Sequence, residues 1–252
     1  MSALGWMHRA TVIVPLAVLS AAWTASLSGV GVTTAAADDP SIVLPDGTSI
    51  PADAVEVPAS VSGTGVVAPG VPTGSATAAV ATASSAGIPE AALLAYQRAS
   101  SVINAADKSC NLPWQLIAAI GRVESDHGRF GGNSLDADGV AQPGIYGIAL
   151  DGTRNTQRII DTDGGQYDDD ADFDRAVGPL QFIPSTWSVV GVDGDNDGVR
   201  NPQDVDDAAL AAAVYLCSGN GDLSTEQGQR ASVYRYNHSN EYVDLVLSFM
   251  QA

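Results

Sequence analysis

Glu124 is the residue most open to acid chemistry in this chain, because of where it falls. It lies in Leu112–Gly128, LPWQLIAAIGRVESDHG, where Leu116, Ile117, Ile120 and Val123 recur at helical spacing and form one apolar stripe. Pro113 suits the first turn of a helix, and Gly128 suits its end. Glu124 follows Ile120 by one turn and Ile117 by two, which puts it on or beside the buried stripe near the helix C-terminus. Burial and the negative end of the helix dipole both disfavour an ionised carboxylate there. A carboxyl kept protonated near neutral pH is a general acid. The alternative is a glutamate at the stripe edge reaching solvent. Glu90, Glu226 and Glu241 fall at helix starts or on exposed faces and are weaker candidates.

A second constellation is Asp193-Gly-Asp195-Asn-Asp197-Gly198-Val199. Acids stand at positions one, three and five, glycine at six and a backbone carbonyl, that of Val199, at seven. This is calcium-loop spacing, in which alternation aims oxygens inward and glycine makes the turn. Position twelve is Asp204, where Glu is usual, and Asp207 competes as the closing ligand. A structural Ca2+ is expected; a solvated acidic loop is the alternative. Asp161 and Asp163 are a weaker pair, since DTDGG breaks the pattern early.

The elements that must position these groups are mainly helical. Helices are expected over Pro89–Asp107, around Glu124, over Asp207–Cys217 with a stop near Gly219, and from a Ser224/Gln227 capping box to about Tyr236. Val243, Val246, Leu247 and Met250 stripe a last one. Between them, Arg129 to Gly178 is long, irregular and rich in Gly and Asp, with Tyr146, Ile148 and Leu150 as its one candidate ordered stretch. A loop of that length is usually functional or disordered. The helical domain is Gly87–Ala252. Residues 38–86, rich in Ala, Pro, Gly, Ser, Thr and Val, read as a flexible stalk. Its alternating Val55–Val67 stretch suggests a short strand with no evident partner. Residues 1–37 combine His8 and Arg9, an uncharged apolar run and Ala35-Ala36-Ala37, the pattern of a secretory signal or an uncleaved membrane anchor. Both place the remainder outside the cytoplasm, where Cys110 and Cys217 would form one disulfide.

The net charge of −18 argues against nucleic acid and anionic lipid as primary partners. His127 and His238 lack metal-ligand spacing, and His127 reads as a surface residue beside the helix end. There is no nucleophile elbow or phosphate loop.

Three stretches then belong together: GRVESDHGR around Glu124, GPLQFIPSTW around Gln181, and YRYNHS around Asn237. In this order and spacing, with the calcium-type loop between the second and third, they resemble the lytic murein transglycosylases, specifically the group like membrane-bound lytic transglycosylase B and its actinobacterial relatives. The resemblance covers roughly Ala91 to Met250. It implies a lysozyme-like α-helical core acting on peptidoglycan glycan strands. Glu124 matches the single catalytic glutamate, and Ser125 would help hold the sugar or the glutamate. Gln181 and Phe182 would line the groove, and Tyr236 and Asn237 would border the acid and the N-acetyl group. Leu180 stands where the family commonly has Met, a nearly isosteric change. Each match has a plainer alternative: Gln181 bonding its own loop, Phe182 and Trp187 in the core, and Tyr236–Asn237 as a helix C-cap.

Ordinary glycosidases use two carboxylates. With one glutamate in a dry setting, the same acid must do both proton transfers; the resemblance implies that Glu124 protonates the glycosidic oxygen and then accepts a proton from the muramic C6 hydroxyl, giving a 1,6-anhydro sugar. The alternatives are a muramidase of the same fold, with water as nucleophile, and a non-catalytic calcium-stabilised wall-binding module.

Overall fold

A computed structural model describes residues 43–61, 87–154, 156–219 and 221–250. The expected signal or anchor and most of the stalk lie outside these residues. No helix among those described is long and apolar enough to cross a membrane.

The core is built around one enclosed helix. In chain order the helices are α1 (Glu90–Ala106), α2 (Trp114–Ser125), α3 (Pro184–Val190), α4 (Val205–Cys217), α5 (Glu226–Tyr236) and α6 (Asn240–Met250). The α4 sequence, VDDAALAAAVYLC, buries every residue except Asp206. A helix apolar on all sides is stable only inside other elements. Here α1 packs most closely on α4, with α3 and α5 also against it, while α2 packs on α6 and α1. The α1 face toward the core is Ala92, Ala95, Tyr96, Ala99, Ser100 and Ile103 at helical spacing. Its alanines let the two backbones approach closely.

The expected disulfide is present: Cys110 and Cys217, with Cα atoms 5.5 Å apart, tie the entry of α2 to the end of α4. Two helix ends differ from expectation. The α2 helix stops at Ser125, not Gly128, because Asp126 (φ 52°) and His127 (φ 59°) already adopt left-handed backbone. The side chain of Asp126 accepts from both Arg122 and Arg129. The α5 cap lies one residue later than the predicted box. Asp222 Oδ1 takes both the N–H and the hydroxyl of Ser224, so Thr225 caps instead, accepting from Gly228 N at 3.1 Å. The short α3 was not anticipated; Pro184 sits at its first turn.

The long Arg129–Gly178 loop is ordered by its own acids. Among its described residues the regular strands are β1 (Ser134–Leu135) and β2 (Ala141–Gln142), paired antiparallel. Isolated bridges link Tyr146 with Val177, Asp151 with Arg158, and Ile160 with Phe173. Between them carboxylates accept backbone N–H groups: Asp161 from 163, 164 and 165, Asp168 from 170 and 175, Asp170 from 172 and 173, and Asp174 from 162. The acid run is therefore internal scaffolding, in which side chains satisfy backbone donors that no helix or sheet satisfies.

Part of the expected stalk is ordered. Val43–Val61 lies along the domain as a strap, burying Leu44, Ile50, Ala59 and Ser60. Its backbone meets the ends of α3, α4 and α5, so the described part of the alternating stretch, Val55–Val61, has partners, and it forms no regular strand.

Candidate active site

Glu124 is 4% exposed at the last turn of α2. The solvent-reaching alternative is thereby removed. The Tyr242 hydroxyl, on the first turns of α6, donates to Glu124 Oε1 at 2.6 Å. Burial first, and then the neighbouring Glu124 charge, push the Tyr242 phenol well above its ordinary range. It therefore remains a proton donor at any working pH. Tyr242 was not singled out from the sequence. It stands four residues before Val246, at the edge of the α6 stripe, and that spacing was its only signal.

The second stretch folds as a tight turn. Val177 and Phe182 exchange both backbone hydrogen bonds, 2.9 and 3.0 Å, and Gly178 O accepts from Gln181 N at 3.0 Å. Gly178 cannot be replaced without rearrangement: at φ 75°, a Cβ would lie 1.7 Å from Pro202 O. Gln181 is half-buried with φ 50°, a backbone conformation that non-glycine residues rarely adopt. Its Nε2 donates to Gly178 O at 3.0 Å, so its amide group closes its own turn.

Hydrogen bonds join the three stretches in space. Ser125 Oγ donates to Pro179 O at 2.6 Å, and Tyr236 OH donates to Leu180 O at 2.8 Å. With the Tyr242–Glu124 bond, these connect the end of α2, the Gly178–Phe182 turn and the α5–α6 junction.

Several side chains hold this arrangement together. The Ser125 hydroxyl also accepts from Gly128 N at 2.8 Å, so it is committed to backbone. Phe182 and Tyr236 are fully buried, with ring centroids 5.8 Å apart, and Trp187 lies 5.6 Å from Phe182. Phe182, expected to line the groove, has its ring buried in the core and its backbone bridged to Val177. Asn237 is buried as the C-cap of α5.

His127 is also buried, 4% exposed, against the expectation of a surface position. The left-handed pair at Asp126–His127 turns its ring under α2, where Nδ1 lies 3.2 Å from the Tyr96 hydroxyl. Gly121 leaves the space for this contact; a Cβ there would lie 2.3 Å from the Tyr96 oxygen. Burial, followed by the charges of Arg122 and Arg129, lowers the His127 pKa to about 3. The ring is neutral at physiological pH.

The calcium-type loop brings Asp193, Asp195 and Asp197 together, with carboxylate oxygens within 4.8 Å of one another. This donor set suits a hard divalent cation. Two other residues in the expected ligand set accept backbone hydrogen bonds around the loop. Asp204 caps α4, accepting from Asp206 N at 2.8 Å. Asp207 accepts from Gly194 N at 2.6 Å and Asn201 N at 2.8 Å, pinning both sides of the loop to α4. Burial raises the pKa of Asp204 to about 6 and of Asp207 to about 7. Val199 N donates to Asp197 Oδ1 at 2.7 Å. A second acidic group joins Asp174 to Asp161 and Asp163.

Residues 172–233 match the family described as Transglycosylase SLT domain. The SLT domain is lysozyme-like, in agreement with a fold of six helices and little strand. The match supports an enzyme of the lytic transglycosylase family with peptidoglycan as substrate. It runs from the acid-rich loop through Gln181 and Phe182 into α5; Glu124 precedes it, and Tyr236 and Asn237 follow it. No curated protein matches the chain.

Proposed function

We propose that the protein cleaves the MurNAc-β-1,4-GlcNAc bond of peptidoglycan by intramolecular transglycosylation, with Glu124 as the single acid and base. The observation that carries this reading is the buried Glu124–Tyr242 pair, at the point where the three stretches meet. The proposed membership of the group like membrane-bound lytic transglycosylase B goes beyond the SLT match and rests on the order and spacing of the three stretches.

Glu124 gives its proton to the glycosidic oxygen as the C1–O bond breaks, and the substrate's N-acetyl carbonyl shields the developing cation. The carboxylate then takes the proton of the muramic C6 hydroxyl as that oxygen bonds to C1. The products are a 1,6-anhydro end and a free GlcNAc 4-hydroxyl, with no water consumed. Tyr242 fixes one carboxyl oxygen throughout. Gln181, on its closed turn, and Asn237, at the α5 cap, shape the surroundings of the reacting sugar.

We also infer that the chain is exported, remaining membrane-anchored or being released, and that Asp193, Asp195 and Asp197, with the Val199 carbonyl, hold a structural Ca2+. The ion would neutralise clustered acids beside α4. Asp204 and Asp207 support the loop instead of completing the ligand set.

The test is mass spectrometry of sugars released from purified peptidoglycan by the full-length chain and by Glu124→Gln. Anhydro-muropeptides from the wild type alone are expected. Hydrated ends would make the protein a muramidase. Retained wall binding without any product would make it a binding module.

A further inference from the structure

The strap lies outside every stretch assigned a role so far, yet it meets the acidic loop and the second and third stretches. At its start, Asp46 and Thr48 engage Arg200, just past the acidic loop, with Arg200 Nη2 donating to Thr48 Oγ1 at 3.0 Å. Further along, Ala54 packs against Gly219, and Val55 N donates to Ser218 Oγ at 3.0 Å. Tyr215 OH donates to Val57 O at 3.0 Å, and Thr186 Oγ1 to Pro58 O at 2.8 Å.

Two adjacent buried residues then make the decisive contacts. Ala59 O accepts from Ile183 N at 2.8 Å, and Ser60 N donates to Tyr236 O at 2.9 Å. Ile183 follows the Gln181–Phe182 turn and caps α3; Tyr236 ends α5 and precedes Asn237. Terminal helix carbonyls lack partners within their own helix, and the strap supplies one here. The second and third stretches are thus bridged by two residues of a segment far from either in sequence.

We propose that the strap is a working part of the catalytic unit: Ala59–Ser60 is a positioning clamp that sets the Gln181–Phe182 turn against the Tyr236–Asn237 cap. The inference rests on the transglycosylase reading. Transfer to the C6 hydroxyl requires the sugar to be held in one attack geometry, and small displacements of the holding groups are costly. A loosened clamp lets the sugar ring shift, so water competes with the C6 hydroxyl for C1.

The test uses the full-length chain carrying Ser60→Pro, with Ser60→Ala as the reference. Both lose the hydroxyl, but only Pro loses the N–H. Relative to Ser60→Ala, Ser60→Pro is expected to lower kcat about fivefold, the worth of one hydrogen bond, with KM little changed. It should also raise the ratio of hydrated to anhydro product. That ratio separates positioning from stability, since unfolded molecules release nothing and correctly folded ones keep the wild-type ratio. Equal kcat and an equal product ratio in the two variants would overturn the clamp. If Ser60→Pro does not fold, Thr186→Val, which removes the donor to Pro58 O at the same crossing, is measured against wild type by the same criteria. An unchanged ratio and turnover would overturn the proposal there too. A wild-type chain releasing no sugar would sink the transglycosylase reading instead. The clamp would then be judged by retention on purified peptidoglycan, where equal binding by the wild type and both variants overturns it.

Discussion

His127 should make the protein acid-sensitive in a window fixed by its burial. Its folded pKa is about 3, against an ordinary value of 6.5. Between those values the unfolded chain binds a proton that the folded one refuses, so stability falls as pH falls. The contribution is complete above pH 6.5 and drains away below it. At pH 5 the proton uptake of the unfolded state amounts to about 2 kcal/mol, from about 1.4 kcal/mol per pH unit below 6.5. The raised pKa values of Asp204 and Asp207 act in the opposite sense, since those acids take up protons more readily when folded. The measurement is therefore a difference. Urea unfolding of wild type and His127→Gln is compared at pH 7.5, 6 and 5 in the same salt. Gln is neutral throughout and can still accept from Tyr96. The stability of wild type relative to the variant should drop by about 2 kcal/mol from pH 7.5 to pH 5. Parallel curves over that range would refute the reasoning, because a ring titrating normally in the folded state produces no such difference.

Three further outcomes follow from the geometry. Tyr242→Phe should lower kcat by about ten- to a hundredfold and lower stability by a similar energy, from the roughly 1.5–3 kcal/mol typical of a hydrogen bond to a charged group; wild-type turnover would remove Tyr242 from the site. Reducing Cys110–Cys217, which are 107 residues apart, should cost roughly 4–5 kcal/mol by loop entropy, and an unchanged urea midpoint in dithiothreitol would contradict this. Adding Ca2+ after chelation should raise the melting temperature of wild type but not of Asp195→Ala, and equal shifts in both would dismiss the Asp193–Asp197 loop as the site.

Much of the fold was legible because helical periodicity is local. The stripes of α1, α2 and α6 could be read residue by residue, and the pairing of Cys110 with Cys217 followed from the expected compartment. What escaped depends on contacts between distant segments. The burial of His127 required two left-handed residues in succession, which Asp and His do not advertise. Phe182 has its ring in the core, and an apolar ring in a motif carries no mark of which side it turns to. Tyr242 reaches Glu124 across the interface of two helices. The strap is composed like a linker, and its order comes from main-chain groups that composition does not encode. The convergence of the three stretches was legible from their order, but the contacts that join them, two of them side chains on the carbonyls of Pro179 and Leu180, were not.

The enclosure of α4 has a consequence for how the molecule moves. With every residue but Asp206 buried and its far end covalently tied to the entry of α2, α4 offers water little access by a local excursion. Its amide protons should exchange with deuterium only when the whole domain unfolds, so their exchange rates report global stability. If the proposed function holds, motions that admit and release a glycan strand take place in the shell around this axis, in the acid-scaffolded loop and the turn before α3, while α4 keeps time for the whole.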